Sequence, residues 1–157
     1  ATSDIVTMAF DQHLGNSYPF TLAQKLEKIT EKCRWYKAEE VKDSPWRKPV
    51  LPTEMISPLV GYTSSGLRGP KGPSIGLFAD LEVRMIKGPL FAGEKYALQR
   101  EVVGLGESKR TESMWIKTYI KAPDTGELLA TTLLNSATLK ESYEHYEDEA
   151  KRLRKLI

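Results

Sequence analysis

The chain has 157 residues, with 23 Lys+Arg against 21 Asp+Glu, and is 40% hydrophobic, 9% aromatic and 28% charged. That composition suits one globular domain of a size that buries a core without disulfides or metal, and it argues against disorder. A formal charge of +2 gives no general reason to bind nucleic acid, and apolar runs as short as Leu128-Leu129-Ala130 are far below the ~20 residues a membrane helix needs. One cysteine, Cys33, excludes an internal disulfide, and two histidines, His13 and His145, without a Cys/His cluster give no zinc site. The N-terminal Ala1-Thr2-Ser3-Asp4 lacks the basic and apolar regions of a signal peptide. These features predict a cytoplasmic protein without a structural zinc site.

Residues 1–20 are expected to form an arm. A helix is predicted from Thr21, where Thr21 and Gln24 have capping-box spacing and Leu22, Leu26, Ile29 and Cys33 recur at helical intervals, ending near Arg34-Trp35-Tyr36. Pro45, Pro49, Pro52 and Pro58 punctuate the next stretch. Within it Thr53–Tyr62 is apolar enough for a buried helix, with Pro52 suited to its first turn. Residues 64–74, SSGLRGPKGPS, read as a glycine- and proline-rich loop.

From residue 75 the pattern turns to strands. Phe78–Ile86 alternates, with Phe78, Asp80, Glu82 and Arg84 on one face and Leu81, Val83 and Met85 on the other. Tyr96–Val103, Ser113–Lys121 and Leu128–Leu139 read as three further strands, the last two joined by a hairpin at Asp124-Thr125-Gly126. Residues 141–157 predict a charged helix, acidic at its start and basic at its end, as the helix dipole favours.

Several side chains offer chemistry. Tyr36 can donate a proton or hydrogen-bond an oxyanion, and Trp35 beside it can line a pocket. Glu54, on the proposed buried helix, is either a carboxylate desolvated by apolar neighbours and able to act as a base, or a helix N-terminal carboxylate favoured by the dipole. His13 is the best general base by intrinsic pKa and follows Asp11 by two residues. Asp80 and Arg84 share a strand face; facing a cleft they become a base and an anion binder, facing solvent an exposed pairing. Trp115 on the third strand is expected to be partly buried. Arg68 and Lys71 in the glycine-rich loop are candidate phosphate contacts, although the loop lacks a Walker A ending.

The order of elements resembles the hot-dog fold, an α+β architecture in which an antiparallel sheet wraps a central helix, and more closely the N-terminal-type domains of MaoC-like hydratases and dehydratases. Ser44-Pro45-Trp46-Arg47-Lys48-Pro49-Val50-Leu51-Pro52 resembles the family's approach to its central helix. Pro89-Leu90-Phe91-Ala92-Gly93-Glu94 resembles its Pro-Leu-x-x-Gly-Asp segment, and Tyr96 through Leu128-Leu129-Ala130 its final three strands. The family's hydratases carry Asp-x-Asn-Pro-x-His after the first helix. This chain has Glu31-Lys32-Cys33-Arg34-Trp35-Tyr36 there, so Glu31 takes the acid's position and Tyr36 the histidine's. The resemblance implies a single hot-dog domain over 1–157, a homodimer, and a cofactor-independent dehydratase or hydratase acting on a small acyl, polyketide or aromatic-type substrate. A thioesterase using Glu54, as in some hot-dog enzymes, and a non-catalytic acyl-binding subunit are the alternatives.

Overall fold

The computed structural model describes residues 2–7, 21–28, 32–57 and 73–154. Among these residues five strands form one antiparallel sheet: β1 (Thr2–Thr7), β2 (Gly76–Met85), β3 (Lys95–Glu107), β4 (Thr111–Lys121) and β5 (Leu128–Leu139), in the spatial order β1-β3-β4-β5-β2. The meander β3–β4–β5 is its centre, and β1 and β2 are its edges. Part of the predicted arm is thus a strand: Thr2 lies opposite Arg100 and Thr7 opposite Lys95.

Directly opposed residues share a face, so the register sorts side chains into two layers. One face carries Tyr96, Leu98, Ile120 and Ala130, all buried, and closes on Leu22, Leu51, Met55, Ile56, Leu90 and Ala92. A polar row crosses this same face: buried Arg100 lies opposite Thr118, and Thr118 opposite Thr132. The other face is outer and polar. There Tyr119 donates to Glu101 at 2.7 Å, Lys121 to Gln99 at 2.9 Å, and Asn135 to Asp80 at 3.2 Å.

A bulge at Ala79 corrects one predicted face. Phe78 pairs with Ser136 but Asp80 with Asn135, so the extra residue puts Phe78 on the core side and leaves Asp80, Glu82 and Arg84 outside. Trp115 also lies on the outer face, opposite Asn135 and Gly104. A Cβ built on Gly106 would meet its ring at 2.8 Å, so glycine permits the indole to lie against β3.

Helix α1 (Leu22–Lys28) begins with the expected capping box: the Thr21 N–H donates to Gln24 Oε1 at 2.9 Å and the Gln24 N–H to Thr21 Oγ1 at 3.2 Å. It is shorter than predicted, and Arg34–Tyr36 forms a separate 3₁₀ turn. The predicted buried helix starts as a 3₁₀ turn, Thr53–Met55, after buried Pro52, and continues helically at Ile56 and Ser57; residues 58–62 are outside the described set. The C-terminal helix α2 (Tyr146–Arg154) starts later than expected, since Lys140–Ser142 is a 3₁₀ turn and Tyr143 is buried before the helix begins.

Candidate active site

Residues 32–57 form a strap over the core side of the sheet, built from short turns rather than long elements. The Arg34–Tyr36 turn is closed by Tyr36 N–H to Cys33 O at 3.1 Å, and a second 3₁₀ turn spans Ala38–Asp43. Buried Ser44 then accepts the Trp46 N–H on its Oγ at 3.2 Å, and Arg47 takes φ +50°, a left-handed value that turns the chain sharply for a non-glycine residue. Three backbone bonds anchor Pro49, Val50 and Leu51: Val50 N–H to Trp35 O at 2.8 Å, Leu51 N–H to Leu90 O at 2.7 Å, and Ala92 N–H to Pro49 O at 2.9 Å. The first closes the strap on itself, and the other two hold it against the segment between β2 and β3. Gly88 (φ +61°) and Gly93 (φ +82°) turn that segment at its two ends in a conformation that favours glycine.

Tyr36 is in the lining of two cavities. One, of about 830 Å³, is lined by Ala23 and Leu26 of α1, by Cys33, Arg34 and Lys37 of the strap, and by Tyr36. The other, of about 310 Å³, is mostly apolar: Val50, Leu51, Pro52, Ile56, Met85 and Pro89 line it, again with Tyr36. Tyr36 is half-buried and lines both spaces, and its side chain carries a phenol. Such a group can donate a proton, or a hydrogen bond to an oxygen that gains charge during reaction.

The remaining candidates are dispersed. Trp35 is half-buried and packs edge-on against Trp46, ring centroids 5.6 Å apart, and its Nε1 is buried with no hydrogen-bond partner among the described residues. Glu54 differs from the expectation of a desolvated carboxylate: its side chain is 48% exposed, and Oε1 pairs with Lys25 Nζ at 2.9 Å. The cause is local, because a 3₁₀ turn puts Met55 and Ile56 into the core while Thr53 and Glu54 face out. Asp80 and Arg84 lie on the outer face, where Arg84 Nε meets Glu82 Oε1 at 2.9 Å. Together with Trp115 they are separated from Tyr36 by the thickness of the sheet. His13, Glu31, Arg68 and Lys71 fall outside the described residues.

Two features escaped the sequence reading. Met85 and Pro89, read only as strand end and turn, line a cavity with Tyr36. Arg100 is buried on the core-facing side, and period-2 alternation from Leu98 was the signal that would have placed it there. Among the described residues Tyr96 is a strongly displaced titratable group. Burial pushes its phenol up to about 12, while its oxygen accepts the Phe91 N–H at 2.6 Å and donates to Phe91 O at 3.1 Å. Outside, the hydrogen bond to Glu101 raises the Tyr119 phenol. Among the described residues no group of three or more His, Cys, Asp or Glu is placed to hold a metal, and no helix is long and apolar enough to cross a membrane.

An antiparallel sheet closed over a helical segment, with strands in this order, is the hot-dog fold. No family model matches the chain, and no curated protein sequence does. Solved structures share the architecture. The HadBC (3R)-hydroxyacyl-ACP dehydratase complex from Mycobacterium tuberculosis superposes with a TM-score of 0.64 at 15% identity, covering 85% of this chain and 90% of that one. A MaoC-like dehydratase from Rhodospirillum rubrum gives 0.57 at 9% identity, over 87% and 88% of the two chains. The (R)-hydratase from A. caviae involved in PHA biosynthesis gives 0.51 at 15%, over 86% and 91%. The chain therefore has the hot-dog fold in the form that MaoC-like dehydratases and hydratases share, and at these identities the likeness is one of architecture.

Proposed function

We propose that this protein is a hydro-lyase that interconverts a 3-hydroxyacyl thioester and its enoyl form, with Tyr36 as the proton donor. The place of Tyr36 in the lining of two cavities carries this reading, and the shared architecture of a dehydratase and a hydratase supports it. In the dehydrating direction a base removes the proton next to the thioester carbonyl, and the C–H pair becomes the new C=C bond. The β-hydroxyl then departs as water, carrying the Tyr36 proton. Glu31, which the resemblance puts in the place of the family's acid, is the proposed base, and His13 the reserve. Glu54 lines neither cavity and is held by Lys25, so it receives no role in this scheme.

The proposed assembly is a homodimer through β2. Among the described residues that strand pairs on one side only, with β5, and it exposes Leu77 (43%), Phe78 (63%) and Met85 (44%). An edge of that length and character is a ready template for a second strand. Met85 also lines the cavity beside Tyr36, so the seam of such a dimer would flank the site.

The reaction class is tested by following enone absorbance and free thiol together on short and aromatic enoyl-CoA esters. A hydro-lyase changes the enone signal without releasing thiol. Thiol release alone would replace this reading with a thioesterase, and silence in both channels would leave an acyl-binding subunit.

A further inference from the structure

The strap turns back on itself at Ser44-Pro45-Trp46-Arg47, closed by Arg47 N–H to Ser44 O at 3.1 Å. The commonest four-residue turn favours Ser first, Pro second and Gly fourth, and this chain has Arg47 in the fourth place. Arg47 nevertheless takes φ +50°, where a side chain crowds its own backbone and glycine fits without strain. Its side chain is exposed, whereas Ser44 is buried and accepts the Trp46 N–H. The chain on either side of this left-handed residue converges on one place. Before it, the Trp46 ring meets the Trp35 ring edge-on, centroids 5.6 Å apart; after it, Val50 N–H donates to Trp35 O at 2.8 Å.

Resting on the hydro-lyase reading, we infer that Arg47 is a positioning residue for Tyr36: its left-handed backbone turns the strap so that Trp46 and Val50 both hold Trp35, the neighbour of Tyr36. The element that carries Tyr36 is only three residues long, Arg34–Tyr36, and is closed by Tyr36 N–H to Cys33 O at 3.1 Å and Lys37 N–H to Arg34 O at 3.3 Å. A 3₁₀ turn that short has poor hydrogen-bond geometry and no cooperativity of its own, so whatever fixes Trp35 fixes Tyr36. Val50 also pairs with Phe91 and lines the smaller cavity with Tyr36, which ties this hold to the segment between β2 and β3. Arg47 lines neither cavity at Tyr36, so it acts through Trp35 and not on the substrate. What counts at position 47 is the backbone conformation and not the guanidinium charge. A proton donor displaced by about 1 Å can cost about 10²-fold in rate, so a turn remote from the reacting atoms acts on kcat.

The test compares Arg47→Gly with Arg47→Val in the full chain. Both remove the guanidinium, but glycine accepts the left-handed backbone and a β-branched residue opposes it. Two readouts run together: kcat and KM on an enoyl-CoA ester, and the NMR signal of the Tyr36 ring in protein with labelled tyrosine, identified by its loss in Tyr36→Phe. The inference expects kcat of Arg47→Val to lie at least about tenfold below that of Arg47→Gly, with KM values within about threefold of each other. It also expects the Tyr36 signal to be displaced in Arg47→Val and to stay in place in Arg47→Gly. Where valine prevents folding, Arg47→Ala takes its place in the same comparison, since any Cβ opposes φ +50°. Equal kcat in the two variants would overturn the inference and leave the hydro-lyase reading intact; if both had lost activity alike, the guanidinium and not the backbone would be responsible. A Tyr36 signal displaced in Arg47→Val alone, in protein that turns over no ester, would instead keep the positioning of Tyr36 and remove the hydro-lyase.

Discussion

The sheet and the strap are built on different principles. The β3–β4–β5 meander is long-range pairing over 11 to 13 residues per strand, and its inner face supplies Leu98, Ile120 and Ala130 to the core at 0% exposure. The strap of residues 32–57 is short 3₁₀ turns, one left-handed arginine and backbone bonds to the segment between β2 and β3, yet it contributes Tyr36, which lines two cavities. The sheet supplies the scaffold, the strap adds Leu51, Met55 and Ile56 to the same core, and in the proposed function the strap carries the chemistry. A rigid scaffold that holds a loop-built site separates the two, so substitutions in each should be read out by different assays.

The separation can be broken most forcefully in the sheet. Leu98→Ala empties a fully buried position and is expected to cost about 2–5 kcal/mol of unfolding free energy, measured by urea denaturation. If that change also altered substrate preference in protein that remains folded, the division between sheet and strap would fail.

Tyr96 lies at the seam between the regions, and Tyr96→Phe should cost about 1–3 kcal/mol by leaving the Phe91 N–H and C=O unpaired. The same residue sets an alkaline limit. Its phenol titrates near 10 in the unfolded chain and at about 12 in the folded one, so between those values the unfolded chain has released a proton that the folded chain retains. Its contribution is complete below pH 10 and declines as pH rises toward 12. Melting temperature followed through that window should fall in wild type, and the fall should be shallower in Tyr96→Phe.

On the outer face the effects shrink. Glu82→Gln removes a pair with Arg84 whose side chains are 50% and 70% exposed, and is expected to change stability by less than about 1 kcal/mol. A loss of several kcal/mol there would show that the outer face is covered in the assembled protein.

Much of the sheet could be read from the chain alone because alternation and turn residues are local signals. Leu128–Leu139 has the boundaries its pattern predicts, and the turn before it has Gly126 at φ +71°. The pairing of β1 with β3 was not readable: Thr2–Thr7 is a short, largely polar strand whose partner lies more than 85 residues away. A single bulged residue, Ala79, also undid the face assigned to Phe78, since a period of 2 carries no memory across an insertion. In the site, Tyr36 could be singled out by resemblance, but its surroundings could not. Met85 and Pro89 reach it only through tertiary pairing, and the outward turn of Glu54 depends on a 3₁₀ start that apolar composition does not report.

The most direct test of a strap-borne active site is the kinetics of Tyr36→Phe on an enoyl-CoA ester, with urea denaturation of the same preparation. A loss of at least about 100-fold in kcat/KM, equivalent to roughly 2.7 kcal/mol of transition-state stabilisation, is expected with the unfolding midpoint nearly unchanged. Wild-type turnover that survives the loss of the Tyr36 hydroxyl would contradict the account.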